Sequence, residues 1–135
     1  MLKPVPQGPA IVVCNTCRHS AESWEDAEGR TGGEAMAAAL RSVAASNPRY
    51  AGIAIEDMPC LFACSQFCTL HIRAPDKIGY VLGRFTPDEA AARAVLDYAL
   101  LHAASAEGEV AYALWPEGVK GHFIVRVPPA GFVAA

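Results

Sequence analysis

The stretch TLHIRAPDKIGYVLGRF, residues 69–85, decides the fold class of this chain. Apolar and polar side chains alternate from Thr69 to Arg73, as in a strand with one buried face. Asp76-Lys77 then forms a turn, and Ile78 to Phe85 returns as the partner strand. The stretch therefore predicts a β-hairpin, and the elements on either side determine how the hairpin is completed.

The residues before the hairpin predict a strand, a helix and a second strand. The β-branched run Ile11-Val12-Val13 predicts a strand at about residues 10–14. Residues 22–34 are acidic and interrupted by glycine, which is typical of a loop. Gly33 to Ala45 contains strong helix formers with one apolar face, and Ala51 to Glu56 alternates weakly as a strand.

A helix follows the hairpin. In the sequence Thr86-Pro87-Asp88-Glu89, we expect Thr86 to be the N-cap, Pro87 the first helical residue, and Glu89 the partner in a capping box. The helix is predicted to end at about Ala104. Because it is apolar nearly all round, it should pack on more than one side.

The order β-α-β-β-β-α predicts an α+β (α/β) domain of the thioredoxin-like class. Its centre would be a mixed sheet of four to five strands flanked by two main helices. We interpret residues 1–135 as a single domain, with an irregular N-terminal tail at 1–9. Residues 106–135 are interpreted as an irregular C-terminal extension, in which 123–127 alternate as in a late strand.

Composition excludes several classes of function. The net charge is −3, and the 11 Lys and Arg residues form no basic stripe, so we expect no nucleic-acid partner. No apolar run approaches the roughly 18 residues of a membrane span, and we expect no membrane association. The first ten residues lack the apolar stretch of a signal peptide, so we expect a cytoplasmic, reducing location.

The five cysteines are the most informative residues, and they form two groups. Cys14 and Cys17 follow the first strand, whereas Cys60, Cys64 and Cys68 precede the hairpin. Clustered thiolates in a cytosolic chain indicate metal or redox chemistry more often than disulfides. Spacing alone leaves three interpretations: structural zinc, an iron–sulfur cluster, or dithiol redox chemistry at Cys14 and Cys17.

The segment Pro59-Cys60-Leu61-Phe62-Ala63-Cys64 resembles the C-L-x-A-C loop of thioredoxin-like [2Fe-2S] ferredoxins. The whole pattern is C-N-T-C-R, then C-L-x-A-C-x3-C, then I-V-R-V-P-P, and it extends over about residues 11–129. This pattern is similar to that of the DUF1636 family, a predicted metal-binding family whose members often lie among cobalamin-related genes.

The resemblance implies a thioredoxin-like fold with a [2Fe-2S] cluster held by Cys14, Cys17, Cys60 and Cys64. Two departures concern the ligands: the ferredoxins space their first two cysteines further apart, and they carry a small residue or proline near position 68. Cys68 is therefore the alternative fourth ligand, in place of Cys17 or Cys64, or a thiol that touches the cluster.

The leading functional hypothesis is a one-electron carrier and not an enzyme, acting with a reductase and an electron acceptor, and a homodimer is consistent with the resemblance. The first alternative is a protein that binds Zn²⁺ or another metal in metal handling linked to cobalamin metabolism. The second is a thiol oxidoreductase that acts through Cys14 and Cys17. The sequence contains no phosphate-binding loop with a Walker lysine and no recognisable Ser/His/Asp signature.

Several side chains near the cysteines could influence a bound cluster. Thr16, Ser65 and Thr69 are candidate hydrogen-bond donors to sulfur. Phe62 and Phe67 flank the ligand loop and are candidates to shield it from water. Arg18 would add positive charge, His19 is a remote candidate ligand, and four acids could steer a basic redox partner: Glu22, Glu25, Asp26 and Glu28.

Overall fold

A mixed five-stranded sheet forms the centre of the molecule, which the computed structural model describes over all of residues 1–135. The strands are β1 (Ala10–Cys14), β2 (Ala54–Met58), β3 (Leu70–Arg73), β4 (Gly79–Leu82) and β5 (Phe123–Val127), in the spatial order β2-β1-β3-β4-β5. β1 and β2 are parallel, and the other neighbouring pairs are antiparallel. Two helices complete the fold, α1 (Gly32–Ser46) and α2 (Glu89–Ala104).

β1 lies inside the sheet, and all five of its residues are buried. Its short apolar sequence suits this place, because a strand covered on both faces carries a continuous apolar run. Val13 pairs with Leu70 of β3, and Cys14 pairs with Met58 of β2. The end of β1 is therefore fixed between the start of β3 and the end of β2.

Both helices cover the same face of the sheet. Ile11 and Val13 of β1 share the buried core with Leu40 of α1 and Leu96 of α2. α1 and α2 also pack against each other, and Ala94 of α2 lies against Gly118 in the short 3₁₀ turn Glu117–Val119. This arrangement confirms that α2, which is apolar nearly all round, packs on more than one side.

β2 begins later than the sequence predicted. The strand was expected at 51–56, but Ile53 donates its N–H to the carbonyl of Tyr50 at 3.0 Å and still belongs to a turn. Pairing with Ala10 begins only at Ala54 and continues to Met58. The register with β1 therefore determines the bounds of β2, and the local sequence pattern does not.

The predicted capping of α2 is wrong. Asp88, and not Thr86, is the N-cap, and its carboxylate accepts the N–H of Ala91 at 2.8 Å. The N–H of Asp88 donates to the carbonyl of Thr86 at 2.8 Å, so Thr86 and Pro87 form a turn outside the helix. A carboxylate at this position also complements the positive end of the helix dipole.

The C-terminal residues are more regular than an irregular extension. They contain two 3₁₀ turns, Tyr112–Leu114 and Glu117–Val119, and then β5, which pairs with β4 at the edge of the sheet. The alternation at 123–127 thus marks a true strand. Neither helix combines the length and the apolar character that crossing a membrane requires.

Candidate metal centre

The first cysteine pair lies in the turn that leaves β1. Cys14 is 1% exposed and Cys17 is 4% exposed. The N–H of Cys17 donates to the carbonyl of Cys14 at 3.3 Å, which closes the turn. The N–H of Asn15 donates to the carbonyl of Met58, so the same turn is fastened to the end of β2.

The second pair lies in the loop between β2 and β3. The sulfurs of Cys60 and Cys64 are 4.0 Å apart, and the main-chain N–H of Phe62 donates to the Cys60 sulfur at 3.3 Å. Cys60 and Phe62 have φ angles of 64° and 57°, in the left-handed region that non-glycine residues rarely adopt. Such strain is retained where the surrounding structure needs a particular geometry, and here it brings two thiols to one side of the loop.

The two loops meet at Cys14. The main-chain N–H of Leu61, in the second loop, is one of the groups that lower the pKa of Cys14. A hydrogen bond from Cys17 is the main cause that lowers the pKa of Cys14, and the same shared proton, together with burial, raises the pKa of Cys17. Cys60 raises the pKa of Cys64, and the charge of Cys14 adds to this effect. Cys14 therefore acts on a thiol of each loop at the end of the sheet where β1 stops.

Cys68 lies in a different environment. It is 1% exposed and belongs to the hydrophobic core, and its thiol donates to the carbonyl of Arg18 at 3.5 Å. Its sulfur also lies against Gly32, where a β-carbon would approach it to 2.7 Å. Burial, with a smaller contribution from the charge of Cys14, raises the pKa of Cys68 to about 12, which favours a protonated thiol. Cys68, the alternative fourth ligand, thus already has a hydrogen-bond acceptor and packing partners.

The three candidate hydroxyl donors differ in their contacts. Thr69 Oγ1 lies 2.9 Å from the sulfur of Cys17, and Thr16 Oγ1 lies 3.7 Å from that of Cys14. Ser65 contacts no sulfur, and its hydroxyl accepts from the Gln66 side chain. Thr69 is fully buried, and its hydroxyl makes the shorter of these two contacts with the cysteine pair.

The two phenylalanines of the ligand loop have different surroundings. Phe62 is 96% exposed and shields nothing, contrary to the expectation from sequence. Phe67 is partly buried and packs against the core. Of the two phenylalanines, only Phe67 therefore anchors the loop to the core.

The acidic segment after Cys17 is an ordered loop. Asp26 accepts the N–H groups of Glu28 and Arg30 and forms an ion pair with the Arg30 side chain, and these contacts lower the pKa of Asp26. The guanidinium of Arg18 stacks over Trp24 at 4.4 Å. His19, the remote candidate ligand, has a buried Nδ1 with no hydrogen-bond partner.

The cysteine site suits a metal by its chemistry more than by its present geometry. No three His, Cys, Asp or Glu side chains converge closely enough to enclose a metal ion. Nevertheless, four thiols from two turns share one end of the sheet, and the main-chain N–H of Phe62 donates to the sulfur of Cys60. Soft thiolates that receive such hydrogen bonds are the donor set for iron–sulfur clusters and for zinc. The donor chemistry of the four thiols therefore fits either group.

The fold defines the class of this protein, which is thioredoxin-like. The chain is similar to a solved structure described as that of a thioredoxin-like [2Fe-2S] ferredoxin from Aquifex aeolicus, with a TM-score of 0.56 and 17% sequence identity. The similarity covers 95% of this chain and 100% of that chain. At this identity the likeness demonstrates a shared fold, and it confirms the predicted fold class.

The chain belongs to the family described as "Protein of unknown function (DUF1636)", whose sequence profile matches residues 11–129. This confirms the family resemblance of the cysteine pattern. A search of curated protein sequences finds no match to this chain.

Proposed function

We propose that this protein is a one-electron carrier that holds a [2Fe-2S] cluster with Cys14, Cys17, Cys60 and Cys64. The observation that carries the proposal is that the two cysteine pairs follow the ends of neighbouring parallel strands, where Cys14 pairs with Met58 and the N–H of Asn15 donates to the carbonyl of Met58. The structural neighbour from Aquifex aeolicus, which has the same fold, is described as a [2Fe-2S] ferredoxin. Such a cluster accepts and releases one electron at a time.

The two cysteine pairs differ in their exposure to solvent. Cys14 and Cys17 are buried, so they exclude water from one side of the site. Cys64 is exposed and Cys60 is partly exposed, and they mark the side from which electrons enter and leave. A carrier of this kind acts between a reductase and an electron acceptor, and these two proteins are the partners that we propose.

Burial of the first pair argues against the thiol oxidoreductase alternative. A reactive dithiol must present at least one sulfur to its substrate. Cys14 and Cys17 are only 1% and 4% exposed, and neither sulfur is presented in that way. Zinc remains the competing occupant, because it would use the same four thiolates.

The decisive experiment is the visible spectrum of protein purified without oxygen, with iron and acid-labile sulfide measured per chain. A [2Fe-2S] protein is red-brown, contains two irons and two sulfides per chain at full loading, and bleaches partly with dithionite. A colourless protein that contains one equivalent of zinc would refute the carrier function.

Alanine substitution of each cysteine then tests the ligand set, because alanine leaves no ligand atom. Loss of the visible spectrum is expected for C14A, C17A, C60A and C64A. The matched control is C68A, which removes a thiol from the same sequence segment and should retain the spectrum. Retention in C17A together with loss in C68A would move the fourth ligand to Cys68. Circular dichroism of each variant verifies that the chain is folded.

A further inference from the structure

Thr69 occupies an unusual place beside the buried cysteine pair. It follows Cys68 directly and precedes β3, and its carbonyl accepts the N–H of Cys14 at 3.1 Å. Its side chain has no solvent exposure. The hydroxyl lies 2.9 Å from the Cys17 sulfur and has no other hydrogen-bond partner. A buried hydroxyl whose only partner is a sulfur must satisfy its hydrogen bond there.

The packing around Thr69 fixes the direction of the hydroxyl. Gly83 lies beneath its methyl group, since a β-carbon on Gly83 would approach Thr69 Cγ2 to 2.9 Å. A β-branched side chain has few χ1 choices, and a buried one has fewer. With the methyl group held over Gly83, the hydroxyl points to Cys17.

We propose that Thr69 raises the reduction potential of the cysteine-bound cluster by donating its hydroxyl proton to the sulfur of Cys17. The assignment rests on the proposed function. A thiolate ligand has no proton, so within this contact only the hydroxyl donates. Reduction places more negative charge on the thiolate sulfurs, and a donor to sulfur then binds more strongly in the reduced state than in the oxidised state.

Reduction of the cluster is a one-electron step. One electron enters from a one-electron donor, which in the experiment is a reduced mediator dye, and the dye is oxidised by one electron. No bond of Thr69 breaks, and the hydroxyl proton stays on Oγ1. Thr69 is thus a positioning residue that acts through Cys17.

The test is a redox titration of the iron-loaded wild type and of T69V, with the visible spectrum as readout. Valine keeps the shape of threonine and the main-chain contacts but lacks the hydroxyl. At a fixed potential, the ratio of reduced to oxidised protein should fall about tenfold in T69V, which is a midpoint lower by about 59 mV for one electron. T69S keeps the hydroxyl and should restore at least half of the shift.

The matched control is T16V, which removes a hydroxyl at the longer distance of 3.7 Å from the other sulfur of the pair. Its reduced-to-oxidised ratio should change by less than about threefold, because a hydrogen bond weakens at that length. An unchanged midpoint in T69V, with normal iron content, would overturn the role of Thr69 and leave the carrier function standing. A wild-type protein without cluster absorption would overturn both. If T69V does not assemble the cluster, equal midpoints in T69A and T69S would overturn the role of Thr69.

Discussion

Replacement of Gly33 by alanine should strongly destabilise the protein, because the first turn of α1 lies directly against the cysteine turn. A β-carbon on Gly33 would lie 1.8 Å from the carbonyl oxygen of Cys14 and 2.7 Å from Cα of Asn15. Both neighbours are main-chain atoms, which cannot rotate away. A carbon–oxygen contact needs about 3.3 Å, so the two segments would have to separate by about 1.5 Å.

The contacts between α1 and the cysteine turn resist that separation. The N–H of Gly33 donates to the carbonyl of Cys17 at 3.2 Å, and the Thr31 hydroxyl donates to the carbonyl of Asn15 at 2.9 Å. Overpacking costs about 1–3 kcal/mol, and each broken hydrogen bond adds about 1 kcal/mol. The better helix propensity of alanine returns about 1 kcal/mol. We therefore expect G33A to lower the free energy of unfolding by about 2–4 kcal/mol.

The assay is urea unfolding followed by circular dichroism, with iron content measured on the same samples. G52A is the matched control, because nothing lies within 4 Å of the β-carbon that it would add. Its free energy of unfolding should stay within about 0.5 kcal/mol of the wild type. G33A should also bind less iron, since the strain falls on the turn that carries Cys14 and Cys17. If G33A were within about 1 kcal/mol of the wild type and bound iron normally, the close contact between α1 and this turn would be refuted.

Three further predictions concern residues outside the cysteine turn. Burial, with smaller contributions from nearby positive charges, lowers the pKa of His71 from 6.5 to about 4, so between these pH values the unfolded chain binds a proton that the folded protein does not. The free energy of unfolding should therefore fall as the pH falls through this window. Between pH 7 and pH 4.5, H71F should lose about 1–2 kcal/mol less than the wild type, as measured by urea titration at both pH values. Equal losses in the two proteins would exclude His71 as the cause. F62A should have the same iron content, visible spectrum and cluster lifetime in air as the wild type, because the Phe62 side chain is 96% exposed. A cluster that decays several times faster in F62A than in the wild type would show that Phe62 shields it. D88A should lower the free energy of unfolding by about 1 kcal/mol and T86A by less than 0.5 kcal/mol, and a larger effect of T86A would reassign the N-cap of α2.

The elements that form from nearby residues were predictable from the sequence. The hairpin of β3 and β4 follows from alternation and a turn, and α1 follows from a run of helix formers with one apolar face. Both patterns depend on neighbours within a few residues. The predicted bounds of β2 were wrong because they depend on pairing with β1, which is distant along the chain. The N-cap of α2 was misassigned because Thr86 and Asp88 are both good capping residues, and only the turn formed by Thr86 and Pro87 distinguishes them.

The surroundings of the cysteines were predicted only in part. Thr69 was a candidate donor together with Thr16 and Ser65, and the sequence could not rank them. The ranking comes from the antiparallel pairing of β1 with β3, which places Thr69 next to Cys14. Phe62 was a candidate to shield the site because it flanks the ligand loop, and a core residue that anchors the loop was an equal alternative. In the structure it has a left-handed backbone and is 96% exposed, and no local pattern signalled either feature.

The sequence by itself determined the chemistry available to this protein: two groups of cysteines, their spacing and the order of strands and helices around them. Spacing depends only on the covalent chain, and one turn of chain is enough to bring two thiols together. Tertiary structure decided which groups meet. The parallel pairing of β1 with β2 and its antiparallel pairing with β3 bring Cys14 to the loop of Cys60 and Cys64, whereas packing under α1 takes Cys68 into the core against Gly32. The distinction between the four proposed ligands and the fifth cysteine is thus a consequence of long-range packing, since all five thiols have the same chemistry.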